Sequence, residues 1–280
     1  MRNLLRAGLY RLSKDILFWI AVGVSLLVGI IFGLSYRSQS IFDDFFIMPV
    51  FLSLGVFISL SVGREYSNGT IRNKLITGHT KANVFLSELI LNIIVCSVLF
   101  VAYFGIFIGF SFSMLPTMPL SDALITIAGY YLLNVSFVAI FTVISCLIPS
   151  RAVGVVACMI AFFVIMVGST RIDYMLSQPE IATIEHYDGQ GNLTNTEEFP
   201  NPDYIDGIAR NALELCDNAL PYGQLDTYLS YMMIFTHSPN PQAVAAGYRN
   251  VLIGYPFYSL GLIILLSGVG LLVFRKKDFK

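Results

Sequence analysis

The chain has 280 residues, 56% of them hydrophobic and only 12% charged, with a positive mean hydropathy and a formal net charge of −1. Those values lie outside the range of ordinary soluble domains and exclude a soluble enzyme or a basic nucleic-acid-binding chain. They imply an all-α polytopic membrane protein.

In chain order, residues 1–15 place Leu5, Leu9 and Leu12 at helical spacing among Arg2, Arg6, Arg11 and Lys14, which predicts an amphipathic helix on a membrane surface. A spanning helix needs about 20 predominantly apolar residues to cross a core of about 30 Å. Six such runs are present, at 16–36, 45–63, 84–115, 122–148, 152–170 and 250–274. The first is longer than a signal-peptide apolar core and no small-residue cleavage site follows it, so it reads as a retained helix. The third is expected to end at Pro116 and Pro119, with Ser121 and Asp122 as the cap of the fourth. Spans four and five are separated only by residues 148–151 and must be antiparallel neighbours.

Residues 170–248 break the apolar pattern. They carry eleven carboxylates against two arginines and form the expected extramembrane domain, small and α+β, between spans five and six. Residues 181–187 and 193–199 flank Asp188-Gly189-Gln190-Gly191 and predict a hairpin. Residues 204–220 put Ile205, Ile208, Ala212, Leu215 and Ala219 on one helical face. Residues 224–235 are apolar but too short to span, which predicts a re-entrant or interfacial helix. The last span, with the tail, occupies 249–280 and closes on Phe274-Arg275-Lys276-Lys277-Asp278.

Charge orients this layout. With both termini inside, thirteen of the seventeen Lys and Arg residues fall on cytoplasmic pieces; Arg37, Arg171, Arg210 and Arg249 fall outside. Basic loops resist translocation, so both termini are expected in the cytoplasm of a plasma-membrane protein.

Between the second and third apolar runs, residues 64–83 read Arg-Glu-Tyr-Ser-Asn-Gly-Thr-Ile-Arg-Asn-Lys-Leu-Ile-Thr-Gly-His-Thr-Lys-Ala-Asn. Gly69 and Gly78 supply permissive backbone. Ile71, Leu75 and Ile76 form an apolar strip suited to a groove on another protein, with Glu65, Arg72 and Lys74 as rim ion pairs; a helix docked on the inner leaflet is the alternative. Glu65, Gly69, Thr70, Leu75, Gly78 and Lys81 stand at a spacing that resembles the segment between the second and third spans of type-2 ATP-binding-cassette (ABC) export permeases. The resemblance implies that this segment is a coupling helix and that residues 1–15 are a connecting helix rather than a plain basic anchor. The acidic domain with re-entrant helices and the Phe-basic-basic-Asp ending are similar to the same family.

What the resemblance implies further is a permease subunit of an ATP-driven exporter, forming a homo- or heterodimer with a second permease chain and working with two cytoplasmic ATPase subunits that bind ATP and Mg. The substrate would be amphipathic or hydrophobic, such as a peptide, lipid or drug-like molecule. By the same analogy the path between permeases would involve Phe51, Phe57, Met159, Phe162, Phe163 and Met166. This chain has no G-x-x-x-x-G-K-[ST] phosphate cradle, so hydrolysis belongs to the partner and no cofactor is expected on the chain itself. His79, His186 and His237 lie far apart, and no metal site or catalytic residue is expected.

The centres of the spans are nearly free of charge, unlike those of an ion-coupled carrier. Glu88 is the nearest exception and is expected at the inner interface, solvated or paired with Lys81 or Arg64. Gly29-x-x-x-Gly33 and Gly105-x-x-x-Gly109 allow close helix contacts. Cys96, Cys146, Cys158 and Cys216 imply no disulfide framework. The net charge of −9 on the acidic external domain would attract a cationic substrate such as an antimicrobial peptide, or is simply the polar side of a surface domain; a second reading, from a different class, is a non-transporting sensor or immunity protein that captures a peptide through this domain.

Overall fold

The computed structural model describes residues 1–37, 48–111, 118–187, 193–238 and 240–277. Among these residues six helices are long and apolar enough to cross a membrane: α2 (Ile16–Arg37), α3 (Met48–Ser67), α5 (Lys81–Ser111), α6 (Leu120–Leu147), α7 (Arg151–Ser177) and α10 (Pro241–Lys276). The remainder are α1 (Arg2–Ser13), α4 (Thr70–Ile76), α8 (Gly207–Ala219), α9 (Pro221–His237) and a hairpin of β1 (Ile181–Tyr187) and β2 (Leu193–Pro200). The chain is a multi-pass, helical membrane protein.

Several predicted boundaries move, and α6 begins at Leu120 with Pro119 at its N-cap, so Ser121 and Asp122 lie in its first turn rather than capping it. Helix α7 continues to Ser177 and α10 begins at Pro241, so both run past the apolar segments assigned to them and into the 170–248 region. A helix ends where its backbone bonds find another partner, not where its side chains turn polar; Pro at the first position starts α10 because its missing N–H is an orphan there anyway. Position 45 at the start of the predicted second span, the end of the third at Pro116, the turn at 188–191 and Asp278 lie outside the described residues.

Lipid tails are as apolar as leucine, so spans associate through van der Waals packing and hydrogen bonds rather than through a hydrophobic difference. Helix α2 lies along α5, α6 along α10, and α3 against α6 and α7. The α2–α5 seam uses Gly29 and Gly33: a methyl group on Gly29 would run into the Tyr103 backbone and one on Gly33 into Phe110. A methyl group on Gly105 or Gly109 would meet nothing within 4 Å among the described residues. The interior is aromatic, with Phe51 of α3, Phe137 of α6 and Phe162 of α7 at ring separations of 4.7, 5.7 and 5.9 Å. Buried polar pairs tie the same helices: Asn92 Nδ2 donates to Thr142 Oγ1 at 3.0 Å, and the Ser59 and Ser145 hydroxyls lie 3.0 Å apart.

At one end of the bundle, α1 turns into α2 at Asp15, whose carboxylate accepts from the Leu17 N–H at 3.0 Å. The face of α1 that packs is Leu4–Gly8–Leu12, not the predicted Leu5–Leu9–Leu12, because Gly8 alone lets the helix close on Leu91 of α5; Leu9 stays exposed.

At the other end, β1 and β2 pair antiparallel, with Ile181 opposite Pro200 and Glu185 opposite Thr196. Helix α8 forms three residues later than its predicted start, and its apolar face is not covered: Ile208 is 89% exposed and no residue of α8 is buried. The short apolar segment is instead the best-packed part of this region. It forms α9, whose Leu225, Tyr228 and Tyr231 are fully buried among α6, α7 and α10.

Candidate functional site

The polar segment after α3 becomes a separate helix because two glycines take left-handed backbone, Gly69 at φ +65° and Gly78 at φ +91°, where an L side chain is strained. Between them α4 spans only seven residues, about two turns, and the predicted 64–83 unit resolves into the end of α3, α4 and the start of α5.

Helical spacing puts Ile71, Lys74 and Leu75 on one side of α4 and Arg72, Asn73, Ile76 and Thr77 on the other. The first set faces the bundle. Ile71 is 2% exposed and Leu75 packs against the core, so the expected partner-binding strip Ile71–Leu75–Ile76 is split; only Ile76, at 72% exposure, remains on the surface. The expected rim of Glu65, Arg72 and Lys74 is split too, with only Arg72 outside.

Lys74 is the centre of a buried ionic network. Its Nζ donates to Glu65 Oε2 of α3 at 2.5 Å and to Glu88 Oε1 of α5 at 2.7 Å. Arg11 of α1 closes on the other oxygen of Glu65 at 2.7 Å. Burial works to lower the Lys74 pKa, but the charges of Glu88 and Glu65 outweigh it and hold the ammonium above its usual range. Glu88 is therefore neither solvated nor paired with Lys81 or Arg64. Arg64 instead pairs with Asp15, and Lys81 donates to the backbone carbonyls of Arg275, at 3.1 Å, and Lys277, at 2.6 Å.

The end of α10 completes the assembly. Lys277 donates to the Cys146 and Leu147 carbonyls, both at 3.0 Å, satisfying acceptors that α6 leaves open at its C-terminus, and it sits 4.3 Å from the centroid of the Tyr66 ring. Tyr66 bonds Cys146 O, and Arg151 bonds Ser67 Oγ. The N-terminal helix, α4 and the end of α10 thus meet at one basic end of the molecule. A cleft of about 460 Å³ opens there between α1, α3 and α5, with Arg11, Lys14, Arg64, Glu65, Thr70 and Glu88 among its lining.

Of the six residues assigned to a substrate path, the structure brings Phe51, Phe162 and Phe163 into ring contact, with separations of 5.9 Å between Phe51 and Phe162 and 5.6 Å between Phe162 and Phe163. Phe51, Phe57 and Phe162 are core residues, Met159 and Met166 are half-buried, and only Phe163 is well exposed. Lys74 as a hub between Glu65 and Glu88, with Arg11 on Glu65, and the separate Arg64–Asp15 pair are not legible in the sequence. The available signal was Glu88, an acid two turns inside an apolar helix.

Comparison with protein-family models, with curated proteins and with solved structures finds no match.

Proposed function

We propose that the chain is the membrane-spanning permease subunit of an ATP-driven exporter and that α4 is the element on which a separate cytoplasmic ATPase acts. One observation carries this reading. A two-turn helix between the second and third spans is bolted to both of them from inside by Lys74, while its outer side presents Arg72, Asn73, Ile76 and Thr77 to a partner.

The physical argument concerns stiffness. A helix set between two flexible glycine joints would absorb a push in its joints if nothing else held it. The ion pairs to Glu65 and Glu88 and the burial of Ile71 instead pass a displacement of α4 into α3 and α5 together. Closure of two ATPase subunits on ATP and Mg would then draw the α4 helices of two permease chains together and open a path between them for an amphipathic or hydrophobic substrate. Arg72 and Ile76 are the contacts offered to the ATPase; Glu65, Lys74, Ile71 and Leu75 transmit rather than touch.

The experiment is purification of the full chain from its native membranes with its bound partners. ATPase activity is expected to travel with it, and to be lost in Arg72→Glu and Ile76→Asp variants whose thermal unfolding is unchanged. Recovery of the chain alone, with no nucleotide-dependent activity in membranes, would overturn the proposal and favour a sensor that captures peptides through its acidic region.

A further inference from the structure

The cleft at the basic end is ionic on one side and apolar on the other. Arg11 of α1, Lys14 at its C-cap and Arg64 of α3 stand where the lining is most exposed, whereas Phe57 of α3 and Leu91 and Val95 of α5 are buried in its wall. Counted from Lys81, Val95 lies about 21 Å along α5, deep enough to reach the middle of a hydrocarbon core of about 30 Å.

The polar side carries one positive charge in excess. Arg64 pairs with Asp15, Arg11 with Glu65, and Lys74 with Glu65 and Glu88, which accounts for the three carboxylates of the lining. Lys14 donates at 2.6 Å to the Tyr10 hydroxyl, a neutral partner, and enters no ion pair among the described residues. Four cations therefore stand against three carboxylates.

The cleft also adjoins the membrane surface. Trp19, the one tryptophan of the chain, is 58% exposed and donates its indole N–H to the Ser13 carbonyl at 3.0 Å, an amphipathic ring placed as at a membrane–water interface. Ile16 both lines the cleft and is 72% exposed, so the cleft opens beside the outward side of α2, where Ile20 is exposed as well.

We propose that this cleft binds one anionic phospholipid of the adjoining leaflet, with its phosphate at Lys14, Arg11 and Arg64 and an acyl chain running inward against Phe57, Leu91 and Val95. A phosphodiester brings the single negative charge that the polar side lacks, and basic pockets between membrane helices are suited to such head groups. A soluble phosphate would leave the apolar wall against water, and a lipid without net charge would leave Lys14 unbalanced. The bound lipid would tie α1 to α3 and α5, and the inference needs only that the chain spans a membrane, not the exporter reading.

The test uses the full chain in phosphatidylcholine vesicles, with Trp19 as energy donor and a small fraction of lipid carrying a dansyl group on one acyl chain as acceptor. Transfer to dansyl-phosphatidylglycerol is expected to exceed transfer to dansyl-phosphatidylcholine at the same fraction by about fivefold, the worth of one basic residue near a membrane surface. Unlabelled phosphatidylglycerol should displace it, and glycerol 3-phosphate, the same head chemistry without chains, should not. Lys14→Gln should abolish the preference, while Arg2→Gln/Arg6→Gln, on the same helix but outside the lining, should keep it; all three side chains are exposed, so folding is expected to be unchanged. Equal transfer from the two lipids overturns the proposal, as does displacement by glycerol 3-phosphate. So does a preference that falls further in the Arg2→Gln/Arg6→Gln chain than in Lys14→Gln, which is what unlocalised attraction of lipid to basic residues would give. No ATPase enters the measurement, so its outcome is separate from that of the exporter reading.

Discussion

The two ends of the bundle handle clustered negative charge in opposite ways. At the basic end Glu65 and Glu88 meet across one ammonium, and Arg11 supplies a second cation, so the group is balanced within the chain. At the acidic end Asp173, Asp217 and Asp226 face one another. A charge cluster that carries its own counter-charges fixes helices permanently, as suits a rod that transmits displacement. Burial and like charge at the acidic end instead favour the protonated carboxyl of Asp217.

The largest expected effect comes from breaking the first arrangement. Lys74→Met leaves two carboxylates buried without their cation and should cost about 3–5 kcal/mol, read as a fall in the unfolding midpoint; adding Glu65→Gln and Glu88→Gln should recover most of it, because an uncharged trio owes no desolvation penalty. The acidic end should respond to pH in the opposite sense to a paired carboxylate. Asp217 has a folded pKa near 6, above the usual range of about 3.9 for an aspartate, so its protonation adds stability that is fully present below about pH 4 and lost as pH rises through 6. Amide hydrogen exchange in α8 and α9 should therefore slow as pH falls across that window, after correction for the intrinsic exchange rate, and Asp217→Asn should remove the dependence.

A smaller effect is expected from Asp173→Asn. It should stabilise the chain by roughly 0.5 kcal/mol or less by removing one like charge at an exposed position; a loss of stability there would mean that Asp173 has a cation partner within the chain. Smallest of all, Arg72→Glu should change stability by less than about 0.5 kcal/mol, since the side chain is exposed and makes no described ion pair. A larger loss would show that the outer side of α4 is part of the fold and not free for a partner.

Much of this contrast is legible in the order of the residues. The hairpin appears where Gly-punctuated alternation placed it, and the gathering of the N-terminal helix, the 64–83 segment and the C-terminal basic residues at one end follows from counting spans. What could not be read was the direction in which α4 faces. Its apolar residues Ile71, Leu75 and Ile76 look equivalent in a line of text, yet a turn of about 100° per residue sends two inward and one outward. The same holds for residues 204–220, where an amphipathic pattern promised a covered face that stays open.

Span number, the segregation of basic from acidic segments and the glycine joints of α4 are properties of short stretches, and residue order alone sets them, because apolar length, charge and backbone freedom act locally. The Glu65–Lys74–Glu88 bridge, the burial of Phe51 and Phe162 and the meeting of three aspartates from separate helices depend on which faces the helices turn to one another. Packing decided those, since groups tens of residues apart acquire a common environment only when the spans have closed around them.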